Sequence, residues 1–176
     1  MTDAEPLSLL QPQPLTAVAF APYGRVLQAP AGALAEAETI NAGTAQRLEL
    51  VPDARLGAGA DRPVIALMRA QARTLPMALT ELERHRLGSQ SFVPLGALRR
   101  FVLVVARPGP APTDAAQLAA FVTDGTQGVW LAPGTWHHAL LALDAGDFLV
   151  VERRGELPDC ETVALAPPIQ LLAPAV

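Results

Sequence analysis

Short apolar runs cut by turn residues at close spacing constrain this chain more than any other feature. Four such runs follow one another late in the sequence: Gly128–Leu131, Trp136–Leu143, Phe148–Glu152 and Glu161–Leu165. Pro133-Gly134, Asp144 to Gly146 and Pro158-Asp159 separate them. Each run has the length of a strand, and each gap has the chemistry of a turn. The same pattern holds upstream, where Arg25–Leu27, Ala45–Val51, Val64–Gln71, Glu81–Arg86 and Gln90–Leu95 read as strands. Phe101–Ala106 is apolar throughout, as expected of a strand buried on both faces. Asp114–Val122 differs: Thr113 stands as an N-cap before an apolar stripe of Leu118, Phe121 and Val122, which predicts a helix. Many short strands with one or two short helices predict a mainly β fold, an antiparallel barrel or sandwich.

A length of 176 residues suits one domain with a full core. The Pro- and Gln-rich residues 1–14 are expected to be poorly ordered, and residues 15–176 to form the single domain. Hydrophobic residues make up 51% and charged residues 17%, which excludes a disordered chain. The net charge of −4, without a basic run, argues against nucleic acid as a partner. All 13 basic residues are Arg, so lysine Schiff-base chemistry and a Walker-type phosphate loop are excluded. The lone Cys160 permits no intrachain disulfide and fits a reducing compartment. No apolar stretch reaches the ~18 residues of a membrane span, and the start of the chain lacks the pattern of a signal peptide. A soluble cytoplasmic protein is the expectation, with no membrane partner.

The polar residues gather in two clusters. On a strand, Glu83 and His85 face the same side. Gly88-Ser89 reads as a turn into a returning strand, on which Gln90 and Phe92 share a face. Pro133-Gly134-Thr135-Trp136-His137-His138 is the second cluster, with His137 and His138 on opposite faces of a regular strand. Glu83-x-His85-x4-Gln90 resembles the leading cupin motif His-x-His-x4-Glu, with Glu for the first His and Gln for the Glu. Pro133-Gly134-x-x-His137 is similar to the later cupin motif, one residue shorter. In a cupin barrel these positions converge on one metal. A carboxylate, imidazoles and an amide oxygen suit a divalent transition metal, with nickel, manganese and zinc not distinguished.

A wider resemblance covers residues 15 to 166. Phe20-Ala21-Pro22-Tyr23-Gly24, Ile40-Asn41-Ala42-Gly43, Arg69-Ala70-Gln71, Glu81-Leu82-Glu83-Arg84-His85, Leu87-Gly88-Ser89-Gln90, Gln127-Gly128-Val129, Trp136-His137-His138 and Asp147-Phe148-Leu149 recur in the order found in the ureidoglycolate lyase family. The departures are mild: Ala42 stands where that family often has Asn, and Glu152 where it often has Asp. The resemblance implies a cupin-like antiparallel β-barrel of jelly-roll type, a homodimer, and cleavage of ureidoglycolate to glyoxylate and urea without an organic cofactor. It implies Glu83, His85 and His137 as catalytic residues and, with Gln90, as metal ligands. Side-chain chemistry makes Arg69, Gln90 and Asn41 the candidate substrate-binding residues, with the Arg69 guanidinium suited to a carboxylate and Gln90 and Asn41 to the ureido group. Arg69 paired with a structural carboxylate, and Asn41 as part of a plain turn, are the bland alternatives. Other functions left open are a metal cupin acting on another small hydroxy or keto acid, and a cupin that binds a ureide or glyoxylate without catalysis.

Overall fold

In the computed structural model, which describes residues 8–56, 61–96 and 98–175, short strands account for most of the regular structure. In chain order they are β1 (Leu9–Leu10), β2 (Gln13–Pro14), β3 (Gly24–Leu27), β4 (Glu38–Ile40), β5 (Ala45–Arg47), β6 (Arg62–Ala70), β7 (Met77–His85) and β8 (Gln90–Pro94). They continue with β9 (Phe101–Ala106), β10 (Ala119–Val122), β11 (Gly128–Leu131), β12 (Trp136–His137), β13 (Leu141–Ala142), β14 (Gly146–Arg154) and β15 (Cys160–Leu171). Among the described residues the one short α-helix, α1 (Ala17–Phe20), is capped by the Thr16 hydroxyl, which accepts from Ala19 N. Among the described residues no helix is long and apolar enough to cross a membrane.

Two sheets form the body. The larger runs β1-β15-β7-β12-β9-β10-β2, with β13 also on β9. The smaller runs β3-β11-β8-β14-β6. All neighbours within these sheets are antiparallel except β1 on β15 and β2 on β10. The fold is the mainly β, cupin-like barrel. Its organising strand is β9, buried at every position. Phe101, Leu103 and Val105 point between the two sheets, where they meet Phe92, Val129, Leu131, Phe148 and Val150. Val102, Val104 and Ala106 point the other way, into a second cluster with Leu79, Leu82, Trp136, Leu165 and Ile169. The continuously apolar sequence of β9 is what two covered faces demand.

Three expectations are corrected. Asp114–Val122 is not a helix. Asp114, rather than Thr113, caps a single 3-10 turn over Ala115–Gln117 in a capping box, and the chain then extends into β10. Ala120 joins one core cluster and its neighbour Phe121 the other, a period of two that only a strand provides. Glu81–Arg86 and Gln90–Leu95 do not form a hairpin. β7 lies in the larger sheet and β8 in the smaller, so residues 86–89 cross between sheets. The run Trp136–Leu143 is interrupted. His137 pairs with Val105 and Leu141 with Val102, four steps against three, which is a bulge beside the candidate site.

The start of the chain also differs from expectation where it is described, because Leu9–Leu10 and Gln13–Pro14 add to opposite edges of the larger sheet. Residues 1–7 of that segment, and residues 57–60, lie outside the described residues.

Candidate active site

The two polar clusters meet through a strand pairing. β12 inserts between β7 and β9, making His137 the direct partner of Glu83 on one side and of Val105 on the other. Val105 belongs to the cluster between the sheets, so Glu83, His85 and His137 turn toward the barrel interior. The Pro133-Gly134 turn is tied to the same strand: Gly134, at φ 83°, donates its N–H to His85 O at 2.6 Å. One ligand atom from each of Glu83, His85 and His137 lies within 4.8 Å of the other two. The two imidazole centroids are 5.6 Å apart.

The tautomer of His137 follows from its neighbour. His137 Nδ1 lies 3.0 Å from Thr135 O, and a carbonyl can only accept, so Nδ1 carries the proton. In the neutral ring Nε2 is then a bare lone pair. It stands 3.5 Å from Glu83 Oε1, within a fully buried residue and without a hydrogen-bond partner. Two acceptors therefore face each other, an arrangement relieved by a proton or a cation between them. His85 Nε2 and Gln90 Oε1 are likewise buried without partners. The two imidazoles and the Glu83 carboxylate, with their ligand atoms within 4.8 Å of one another, fit a divalent transition metal.

The electrostatics sort the groups. With a proton between them, hydrogen bonding from His137 is the largest influence holding the Glu83 carboxyl below its ordinary pKa, against burial that pushes it up. Burial is the main cause that lowers His85, helped by repulsion from His137, while Glu83, Asp159 and Glu152 oppose it. Near neutrality the site thus holds an ionised carboxylate beside a neutral His85 imidazole.

The remaining sequence candidates fall in different places. Gln90, on β8, enters the interior from the smaller sheet and donates to Glu152 Oε2 at 3.0 Å. Arg69 stands exposed on edge strand β6, bidentate to Asp147 at 2.7 and 3.0 Å. Asn41 is exposed at the tip of the β4–β5 hairpin, at φ 54°. The triad of Glu83, His85 and His137 includes neither. His138 turns away from His137 and meets Ala139 O at 2.8 Å.

Two residues at the site were not singled out as site residues from sequence. Cys160 pairs with His85 across β15 and points its Sγ at Glu83 Oε2, 3.6 Å away. Burial and the Glu83 charge push its thiol pKa up. Glu152 pairs with Gln90 across β14 and β8. Alternation along Phe148, Val150 and Glu152 is the signal that would have turned Glu152 inward.

Comparison with known proteins identifies relatives over most of the chain. A family model described as Ureidoglycolate lyase matches residues 7–172. A ureidoglycolate lyase of Burkholderia cepacia is 43% identical over 160 residues, covering 89% of this chain and 86% of that protein. The ureidoglycolate lyase of Azotobacter vinelandii is 38% identical over 156 residues, covering 88% and 91%. That of Pseudomonas syringae pv. syringae is 40% identical over 150 residues, covering 85% of each. With the matched segment spanning both sheets and the interior triad, the chain belongs to the ureidoglycolate lyase family.

Proposed function

We propose that the protein is a carbon–nitrogen lyase that cleaves ureidoglycolate to glyoxylate and urea. The observation that carries this reading is the Glu83–His85–His137 cluster, with His137 buried and the other two half-buried, in a chain belonging to the family of that name. Ureidoglycolate is a hemiaminal. Its cleavage moves the hydroxyl proton to the urea nitrogen while the carbinol C–N bond breaks and the C–O bond becomes a carbonyl, and no water is consumed. The reaction therefore needs a base at the hydroxyl and an acid at the departing nitrogen. Glu83, held ionised, takes the hydroxyl proton, and the adjacent imidazoles carry it to the nitrogen. Gln90 binds the ureido arm. The buried walls formed by Val105, Leu131 and Phe92 exclude water from the developing charge.

Glu83, His85 and His137 would hold a divalent transition metal, leaving the Gln90 carbonyl to the substrate. Such an ion, when bound, acidifies a chelated hydroxyl and neutralises the neighbouring carboxylate. We further propose a cytoplasmic homodimer working in ureide breakdown, where allantoin-derived ureidoglycolate is the substrate. The lone Cys160 fits a reducing compartment.

Product analysis on racemic ureidoglycolate tests the reaction, with spontaneous decay subtracted. Glyoxylate and urea released in equal amounts, faster than the background, are the expected result. Release of ammonia with glyoxylate would mean hydrolysis of the ureido group and would remove this mechanism. Absence of any acceleration would favour action on another small hydroxy or keto acid, or binding without catalysis.

A further inference from the structure

Gln90 and Glu152 are direct register partners on β8 and β14. Both face the barrel interior, because the alternate positions Phe92, Phe148 and Val150 all lie in the cluster between the sheets. Gln90 Nε2 donates to Glu152 Oε2 at 3.0 Å. Chemistry enforces that orientation, since a carboxylate only accepts and the amide must offer it the NH2 end. The other end, Oε1, is therefore turned away from Glu152. It is buried and lacks a donor, in a residue only 7% exposed. Folded proteins seldom leave such an acceptor unused. Only residues 86–89 separate His85, the last residue of β7, from Gln90, the first of β8, so the pair lies at the end of β8 that adjoins the strand of the triad.

We propose that Glu152 is a positioning residue that locks the Gln90 amide, so that Oε1 is a fixed acceptor for the N–H groups of the substrate's ureido arm. The proposal rests on the lyase reading above and deepens it. The two arms of ureidoglycolate differ in polarity: the ureido arm donates through N–H, whereas the carboxylate only accepts. An acceptor locked in place attracts the first and repels the second. It thereby sets which arm lies against the smaller sheet and which face of the carbinol carbon meets Glu83. An amide free to flip would welcome either arm. Glu152 thus acts on the direction of binding without touching the reacting atoms.

The test combines kinetics with a direct readout of the amide. Glu152→Gln keeps the shape but lets the side chain at position 152 donate or accept, which unlocks Gln90. It is expected to lower kcat/KM at least ~10-fold, mainly through KM, with the thermal midpoint unchanged. Gln90→Glu sets two carboxylates face to face and is expected to lose more. The exchanged pair, Q90E/E152Q, again leaves an acceptor oxygen facing inward, because the amide introduced on β14 donates to the carboxylate introduced on β8. It should recover most of the activity lost in Q90E. Wild-type kinetics in E152Q, or an exchanged pair no better than Q90E, would overturn the proposal.

In 15N-labelled protein the Gln90 side-chain NH2 signals, assigned by their loss in Q90E, should be protected from solvent exchange and should shift in E152Q. Rapid exchange together with insensitivity to E152Q would also overturn it. Failure of the wild-type protein to cleave ureidoglycolate would instead strike the lyase reading, and the amide signals would still decide whether Glu152 locks Gln90.

Discussion

At the scale of single residues, the site is a set of acceptors crowded together, with His137 buried and Glu83 and His85 half-buried. Glu83→Gln removes the proposed base and one ligand, and His85→Ala removes a neutral imidazole. Each is expected to cut turnover at least ~100-fold, measured by glyoxylate release, with near-normal turnover removing that residue from the mechanism. The pH dependence follows from His85. Its folded pKa lies below the ordinary 6.5, because burial disfavours the cation. If neutral His85 is the active form, the acid limb of kcat/KM lies below pH 6.5. Stability has the same sign. Below pH 6.5 the unfolded chain binds the proton that folded His85 resists, so this contribution is whole above 6.5 and is lost as pH falls through the folded value. Denaturant midpoints measured from pH 7 to 5 should fall more steeply in the wild type than in His85→Asn; parallel curves would count against this. Glu83 and His85 were legible in the sequence through their two-residue spacing. Cys160 and Glu152 were not, because their place at the site depends on which strand lies beside β7 and β8.

At the scale of elements, pairing overrode local preference twice. The Ala-rich Asp114–Val122 has good helix formers, yet β9 offers an edge on which Ala120 and Phe121 each bury in a different cluster. Gly88-Ser89 has turn chemistry, but the chain uses it to change sheets. Leu87 N donates to Asp159 Oδ1 at 2.6 Å and Ser89 N to Arg55 O at 2.9 Å, which anchors the crossing on both sides. Gly88 is packed against the aliphatic part of Arg153, so an added Cβ would collide with Arg153 Cβ and press on its Cδ. The Arg153 guanidinium is itself held by Asp61 at 2.6 and 2.7 Å, so it has little room to yield. Gly88→Ala is expected to cost about 1–3 kcal/mol in denaturant unfolding. A neutral effect would show that the crossing is softer than its bonding suggests.

At the scale of the whole molecule, the interior works as a core at one end and a site at the other. Phe148 and Phe101 meet edge to face at 5.5 Å, both fully buried between the sheets. Phe148→Ala is expected to cost about 3–5 kcal/mol, read by urea unfolding. Chelator treatment should lower lyase activity and addition of a divalent transition metal should restore it; activity indifferent to chelation would leave the reaction to Glu83 and the histidines alone. On a sizing column the protein is expected to elute as a dimer, and a monomer mass would remove the homodimer. The sequence by itself determined the class of fold, since short runs between turn residues leave no helical alternative for most of the chain. It also determined the chemistry available, since spacing along one strand puts Glu83 and His85 on one face whatever that strand pairs with. Only the tertiary structure decided that His137 lies beside Glu83, that Gln90 approaches from the opposite sheet with Glu152 behind it, and that Arg69 pairs with Asp147 on an outer edge. Those relations hold between residues far apart in the chain, and strand order and register, which local propensity does not encode, bring them about.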